Sequence, residues 1–271
     1  MTTIIRAKKP LSLMDFKELW AQKELLYFFT WRDLKIRYKQ TVLGVLWAIF
    51  QPVITMVIFT VFFGTFAKIP SDNIPYPVFV FAGLLLWQLF SATLLQASNS
   101  LVSQESLLTK VYFPRLILPI SSLFSNLVDF LIASCVLVCL MIYYGFLPNL
   151  LGLLIVPFLV AITCVFAVGL GLFLAAINVK YRDVKYILPF FVQLLLFLTP
   201  VIYPSSILGA YAWLLALNPM TGVIKAMRAA LFGGTAINWF LLFLSAATAM
   251  VIFLLGLLYF KKSEKRFADL I

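Results

Sequence analysis

Five stretches of this chain, 42–66, 78–101, 150–178, 187–203 and 237–260, contain no Lys, Arg, Asp or Glu at all, and a sixth, 117–145, carries only Asp129. Crossing the ~30 Å hydrocarbon layer of a bilayer takes about 20 apolar residues per helix. Each stretch is long enough to span or nearly so. The remaining composition agrees, with 63% hydrophobic and 11% charged residues and a mean hydropathy of +1.05. No segment alternates polar and apolar residues with period two in ten-residue blocks, which argues against a membrane β-barrel. The expected fold is therefore an all-α integral membrane protein with six transmembrane helices per subunit.

Charge placement sets the orientation, because Lys and Arg accumulate in cytoplasmic segments. Of the 21 Lys and Arg residues, 18 fall before Thr41, between 101 and 117, between 178 and 187, or after Phe260. Only Lys68, Lys225 and Arg228 lie on the other side. Both termini are expected in the cytoplasm, and the chain divides into an interfacial region 1–41, a membrane domain 42–260 and a basic cytoplasmic tail 261–271. The net charge of +11 faces anionic lipid headgroups and implies no nucleic-acid partner. The charged first 41 residues lack a short apolar core with a cleavage site, so the first span is expected to serve as the insertion signal.

Residues 12–40 mix Leu, Phe, Tyr and Trp with charges, and Ser12 followed by Asp15 resembles a capping box. The segment reads as one or two amphipathic helices in the membrane interface. Gln51-Pro52 within the first span predicts a bend there. Between the fifth and sixth spans, Asn218-Pro219 is a helix start and Gly233-Gly234 a stop. The enclosed helix is about 20 Å long at 1.5 Å per residue, too short to cross. With the apolar run 211–217 it predicts a re-entrant external helix pair. Lys225 and Arg228 share one face of that helix, where they either snorkel to lipid phosphates or guide an anionic substrate.

Much chemistry is missing. The chain has no histidine, and Cys135, Cys139 and Cys164 lie inside predicted spans with no metal-ligand spacing. No G-x-x-x-x-G-K-[ST] motif is present to bind ATP. The ten Asp and Glu residues are scattered. The expectation is a transport protein rather than an enzyme, with no catalytic residue, metal or cofactor of its own. Asp129, the one carboxylate embedded in a span, should face protein or water, since a charge at the bilayer centre costs about 2.5 to 3.5 kcal/mol. Ser125, Asn126 and Ser134 flank it with polar groups, leaving open a structural role between helices or a role toward substrate or protons.

The connection between the second and third spans is longer than a helix turn requires. Within it, Lys110, Val111, Tyr112, Phe113, Pro114 and Arg115 place apolar residues between two cations, which reads as a protein docking patch on the cytoplasmic side or as an anchor at the headgroups.

Four segments, WRDLKIRYKQTVLGVLWAIFQP at 31–52, LLTKVYFPRLILP at 107–119, NVKYRDVKYILPFFVQLLLFLTPVIYP at 178–204 and LNPMTGVIKAMRAALFG at 217–233, resemble the permease subunits of bacterial polysaccharide-export ABC transporters. Those handle O-antigen, capsular polysaccharide and teichoic acid. The resemblance implies a homodimer in the bacterial inner membrane, bound to two copies of a separate nucleotide-binding ATPase that carries the ATP and Mg. It implies that residues 110–115 couple to that ATPase, and that the helix near 12–38 lies at the cytoplasmic entrance for a lipid-linked glycan. Arg32, Lys35, Arg37, Tyr38 and Lys39 would form that entrance, and Arg32 and Arg37 are the first choices for binding its anionic head. The first and fifth spans would form the channel, with helix breaks at Pro52, Pro189 and Pro200. Two other readings stay open here: an ABC exporter permease for a small molecule or drug, and a membrane enzyme acting on polyprenyl-linked sugars through Asp129.

Overall fold

The computed structural model describes residues 20–39, 41–111, 113–146, 150–207, 212–233, 236–264 and 267. Among these the secondary structure is helical throughout. The first helix, α1 (Lys23–Lys39), is followed by a tight turn at Gly44–Leu46 that leads into α2 (Trp47–Phe59). The helix continues over Thr60–Phe66 with its hydrogen bonds widened to i→i+5. Then come α3 (Tyr76–Ser103), the short α4 (Glu105–Lys110), α5 (Ile117–Tyr143) and α6 (Leu150–Lys180). Last are α7 (Val184–Leu198), α8 (Ala212–Leu215), α9 (Pro219–Phe232) and α10 (Trp239–Glu264).

Five of these segments are long and apolar enough to cross a membrane: Gly44–Phe66, α3, α5, α6 and α10. The protein is a multi-pass membrane protein. The stretch expected to be the fifth span, 187–203, is a 15-residue helix, about 22 Å long, that ends where Thr199 turns extended ahead of Pro200. Proline disfavours helical backbone in the residue before it, which accounts for the stop. Pro189 sits inside α7 and Pro52 inside α2 without breaking either helix. The helix is not interrupted at Pro52, and the irregular turn lies further along, at Thr60–Phe66. Pro52 occupies the second turn of α2, buried beside α3.

α3 is the hub, packed on one side by α5 and on the other by α6, with α2, α7 and α9 also against it. α10 lies along α6. Lipid supplies no hydrophobic drive between helices, so close backbone approach through small residues has to hold them together. At the α6–α10 crossing a Cβ on Gly256 would stand 2.0 Å from the carbonyl oxygen of Gly169. No side chain fits there. Further along α6, Asn178 donates from Nδ2 to the Ser98 carbonyl of α3 at 3.1 Å.

A second apolar cluster forms at the end of the bundle that carries the termini. It gathers Phe29 of α1, Phe113, Leu116 and Ile117, Leu172 of α6, Phe260 of α10 and Phe267. It joins α1, the 104–116 connection and the C-terminal segment into one packed unit.

Candidate functional site

The residues expected to form an entrance lie on α1, and the structure commits most of them to partners within the chain. Arg37 donates to Asp129 on α5 and to the Asn126 amide oxygen at 3.3 Å, while the Tyr38 hydroxyl donates to the other oxygen of Asp129. Asn126 in turn donates to Gln96 of α3 at 3.2 Å. Asp129 therefore faces protein and latches the end of α1 to α5. Burial lowers the pKa of the Arg37 guanidinium, with the field of Asp33 opposing the shift. Arg32 pairs with Asp33 at 2.8 Å, donates to Gln104 at 3.1 Å and lies over the ring of Phe29. Lys35 rests over Trp31 with its head exposed, and Lys39 is exposed.

Two small cavities with polar groups in partly apolar walls flank the latch. One, about 190 Å³, lies between α2, α3 and α5 and is lined by Gln51, Gln88, Ser91, Asn126 and Asp129. The other, about 270 Å³, lies under α1 among Arg32, Gln96, Asn99, Ser103 and Ser121. The polar residues of α5 that face them recur every three to four positions, at Ser121, Ser122, Ser125, Asn126 and Asp129. That spacing puts them on one face of a helix. It was the signal in the sequence for a polar seam inside the membrane domain.

The 110–115 segment differs from the exposed knob expected of it. Lys110 and Val111 are exposed at the end of α4, and Tyr112 lies outside the described residues. Phe113 is buried, 6% exposed, with its ring 5.7 Å from that of Phe29. Pro114 is half-buried. Arg115 lies over the ring of Phe267 and donates to the Glu264 carbonyl. Phe113 is a packing residue because two segments distant in sequence, α1 and the C-terminal one, fold over it. What the loop offers to a partner is the exposed side of α4, with Ser106, Thr109, Lys110 and Val111. Glu105 on α4 pairs at 3.7 Å with Arg182 in the α6–α7 turn, so the two connections at this end form one surface.

At the opposite end, Arg228 of α9 neither snorkels nor meets solvent. It is 7% exposed, and it donates to the carbonyls of Phe79 at 3.1 Å, Pro200 at 2.8 Å and Val201 at 2.6 Å. Its guanidinium lies 3.5 Å over the ring of Phe79. Burial lowers its pKa, with Asp72 and Tyr76 opposing. Tyr76 adds a bond to the Ile202 carbonyl at 2.7 Å, and Asn218 donates to Thr199 at 2.8 Å while capping α9. Breaking α7 at Thr199 frees backbone carbonyls that hydrocarbon cannot satisfy, and Arg228 satisfies them with a planar fork of donors. Lys225 is half-buried and makes no hydrogen bond or ion pair among the described residues.

Among the described residues no group of His, Cys, Asp and Glu could hold a metal ion. Residues 24–232 match the ABC-2 type transporter family. This chain belongs to that family. It is 32% identical over 93% of its length, and 97% of the other chain, to the O-antigen export system permease protein RfbA of Myxococcus xanthus. It is 27% identical to an RfbA of Klebsiella pneumoniae over 92% of this chain and 95% of the other. To the polysialic acid transport protein KpsM of Escherichia coli it is 24% identical over 86% of this chain and 91% of the other. As an ABC-2 family member it is a transport subunit, and the family match covers α1 through α9, including both the latch and the Arg228 cradle.

Proposed function

We propose that this chain is the membrane-spanning subunit of an ATP-driven exporter that moves a lipid-linked polysaccharide, of O-antigen, capsular or teichoic acid type, across the bacterial inner membrane. The similarity to O-antigen permeases over 92% and 93% of the chain is the observation that carries this reading. The chain has no phosphate-binding loop of its own, so ATP and Mg are supplied by a separate nucleotide-binding subunit. Both termini lie in the cytoplasm, as the Lys and Arg distribution favours.

Two copies of the chain, each with one ATPase, make the working unit. Phe50, Ile54 and Ile58 of α2 and Phe190, Leu194 and Phe197 of α7 are all exposed, and these faces supply the seam through which the glycan passes. α7 and the chain beyond its break make the fifth crossing, and α8 and α9 dip into the outer leaflet as re-entrant helices. The exposed side of α4 docks on the ATPase, and the contact of Phe113 with Phe29 passes its movement to α1. Because Arg32 and Arg37 are engaged within the chain, Lys35 and Lys39 are the cations left to attract an anionic lipid head at the entrance.

Lys110→Glu with Val111→Asp, made in the full chain and co-expressed with the ATPase, tests the docking surface. The variant is expected to insert normally and to lose co-purification with the ATPase. Undiminished association would remove α4 from the contact.

A further inference from the structure

At the end of the bundle opposite the termini lies a cavity of about 620 Å³, between the α2–α3 turn, the start of the α6-side connection, the segment after the α7 break, α9 and the start of α10. Its polar lining is provided by Asp72, Asn73, Ser205, Ser206, Lys225 and Asn238, with Arg228 behind them. Among the described residues, the side chains of Asp72, Asn73, Ser205, Ser206 and Lys225 make no hydrogen bond or ion pair, and Asn238 uses only its Oδ1, on the Leu241 amide at 3.0 Å. Asp72 and Asn73 both hold left-handed backbone, at φ of 51° and 62°. Backbone of that kind costs about 1 to 3 kcal/mol and gathers at ligand sites. One wall is aromatic, formed by Phe146 and Phe232 with ring centres 5.6 Å apart.

We propose that this cavity binds a neutral sugar residue. A polyol presents hydroxyls that both donate and accept, matched by a carboxylate, amides and hydroxyls whose capacity is unspent. It also presents a flat apolar face, matched by the aromatic wall. A phosphate is the competing occupant, and the scarcity of free cationic donors disfavours it. Three donors of Arg228, at the back of the cavity, are committed to backbone carbonyls. That leaves Lys225 as the cation with capacity to spare, and the same cavity holds the carboxylate of Asp72. That carboxylate repels a phosphate placed in the same cavity. The identity of the sugar as part of the exported polymer rests on the transport reading above, and the existence of the site does not.

The test is equilibrium binding by the purified full chain in lipid nanodiscs, followed by saturation-transfer NMR and calorimetry. The probes are a panel of neutral oligosaccharides of hexose, deoxyhexose and N-acetylhexosamine, with inorganic phosphate as the anionic arm. At least one neutral oligosaccharide is expected to bind saturably. Asp72→Ala should weaken it about tenfold or more, as loss of a hydrogen bond to a charged group does. Ser205→Trp, which fills the cavity and removes no charged group, should abolish it, with unchanged thermal unfolding showing that both variants are folded. Binding of no panel member, binding unaffected by both substitutions, or competition by phosphate would each overturn the proposal. Loss of sugar binding with ATP-driven transport intact would remove this site and leave the transport reading standing; sugar binding without any ATPase association would do the reverse.

Discussion

The most apolar 18-residue stretches of Gly44–Phe66 and Tyr76–Ser103 have nearly the same mean hydropathy, 2.2 and 2.0, yet 11% of the first stretch and 78% of the second is buried inside the protein. In water a helix so exposed would be unstable. In a bilayer, lipid tails cover it at no hydrophobic cost, so packing is decided by shape and polar contacts. α3 carries the small and hydroxyl residues that let α5 and α6 close on it. α2 and its continuation present Trp47, Phe50, Ile54, Val57 and Phe62 outward. The packed half of the subunit holds the fold, and the exposed half is available to move, to contact lipid or to meet a second copy.

Substitutions graded by the half they fall in should separate the two roles. The largest effect is expected from Gly256→Leu, whose Cβ would collide with the Gly169 carbonyl at 2.0 Å. Backbone at a helix crossing cannot yield, so a loss of about 3 kcal/mol or more is expected. Failure to accumulate as a monodisperse species in detergent would be the readout. Phe113→Ala, in the cluster with Phe29 and Phe267, should cost about 3 kcal/mol and expose α1 to protease cleavage after Lys35. An unchanged cleavage rate would show that Phe113 does not hold α1 down.

Arg228→Ala should cost about 2 kcal/mol, since it leaves the carbonyls of Phe79, Pro200 and Val201 unsatisfied. Arg228→Lys should recover little of it, because an ammonium cannot span the three acceptors. Full recovery in a thermal unfolding assay would mean that charge, not geometry, matters at this position. Asp129→Asn should cost about 1 kcal/mol and loosen α1, read as greater mobility of a spin label at Lys35. Ile58→Ala, on the exposed side of α2, should change monomer stability by less than about 0.5 kcal/mol while weakening self-association. A large stability loss there would break the contrast between the halves.

Much of this organisation was legible in the sequence, and what was missed has a common cause. Asn218-Pro219 and Gly233 marked α9 because capping is local: the Asn218 side chain accepts from the Met220 amide at 3.0 Å, and Gly233 takes a φ of 67°. Asp129 was expected to face protein or water, and its carboxylate meets Arg37 and Tyr38. Phe113 and Arg228 were misjudged because their surroundings come from distant segments, and the partners of Arg32 and Arg37, Gln104 and Asp129, are likewise distant in sequence. A Phe between two cations looks exposed until Phe29 is brought onto it, with Phe267 in the same cluster. Arg228 looks like a lipid-facing cation until the break at Thr199 places carbonyls around it. The span at 187–203 looked continuous because hydropathy does not register a helix that ends at Leu198, with Thr199 extended ahead of Pro200.

Reconstitution decides the central claim that this chain is a conduit powered from outside itself. Proteoliposomes containing the chain alone, the chain with its ATPase, and the chain with an ATPase lacking its catalytic carboxylate would be loaded with a fluorescent polyprenyl-diphosphate glycan. Translocation is expected only from the complete, hydrolysing pair. Movement or modification of the glycan by the chain alone, at the rate of the pair, would contradict it.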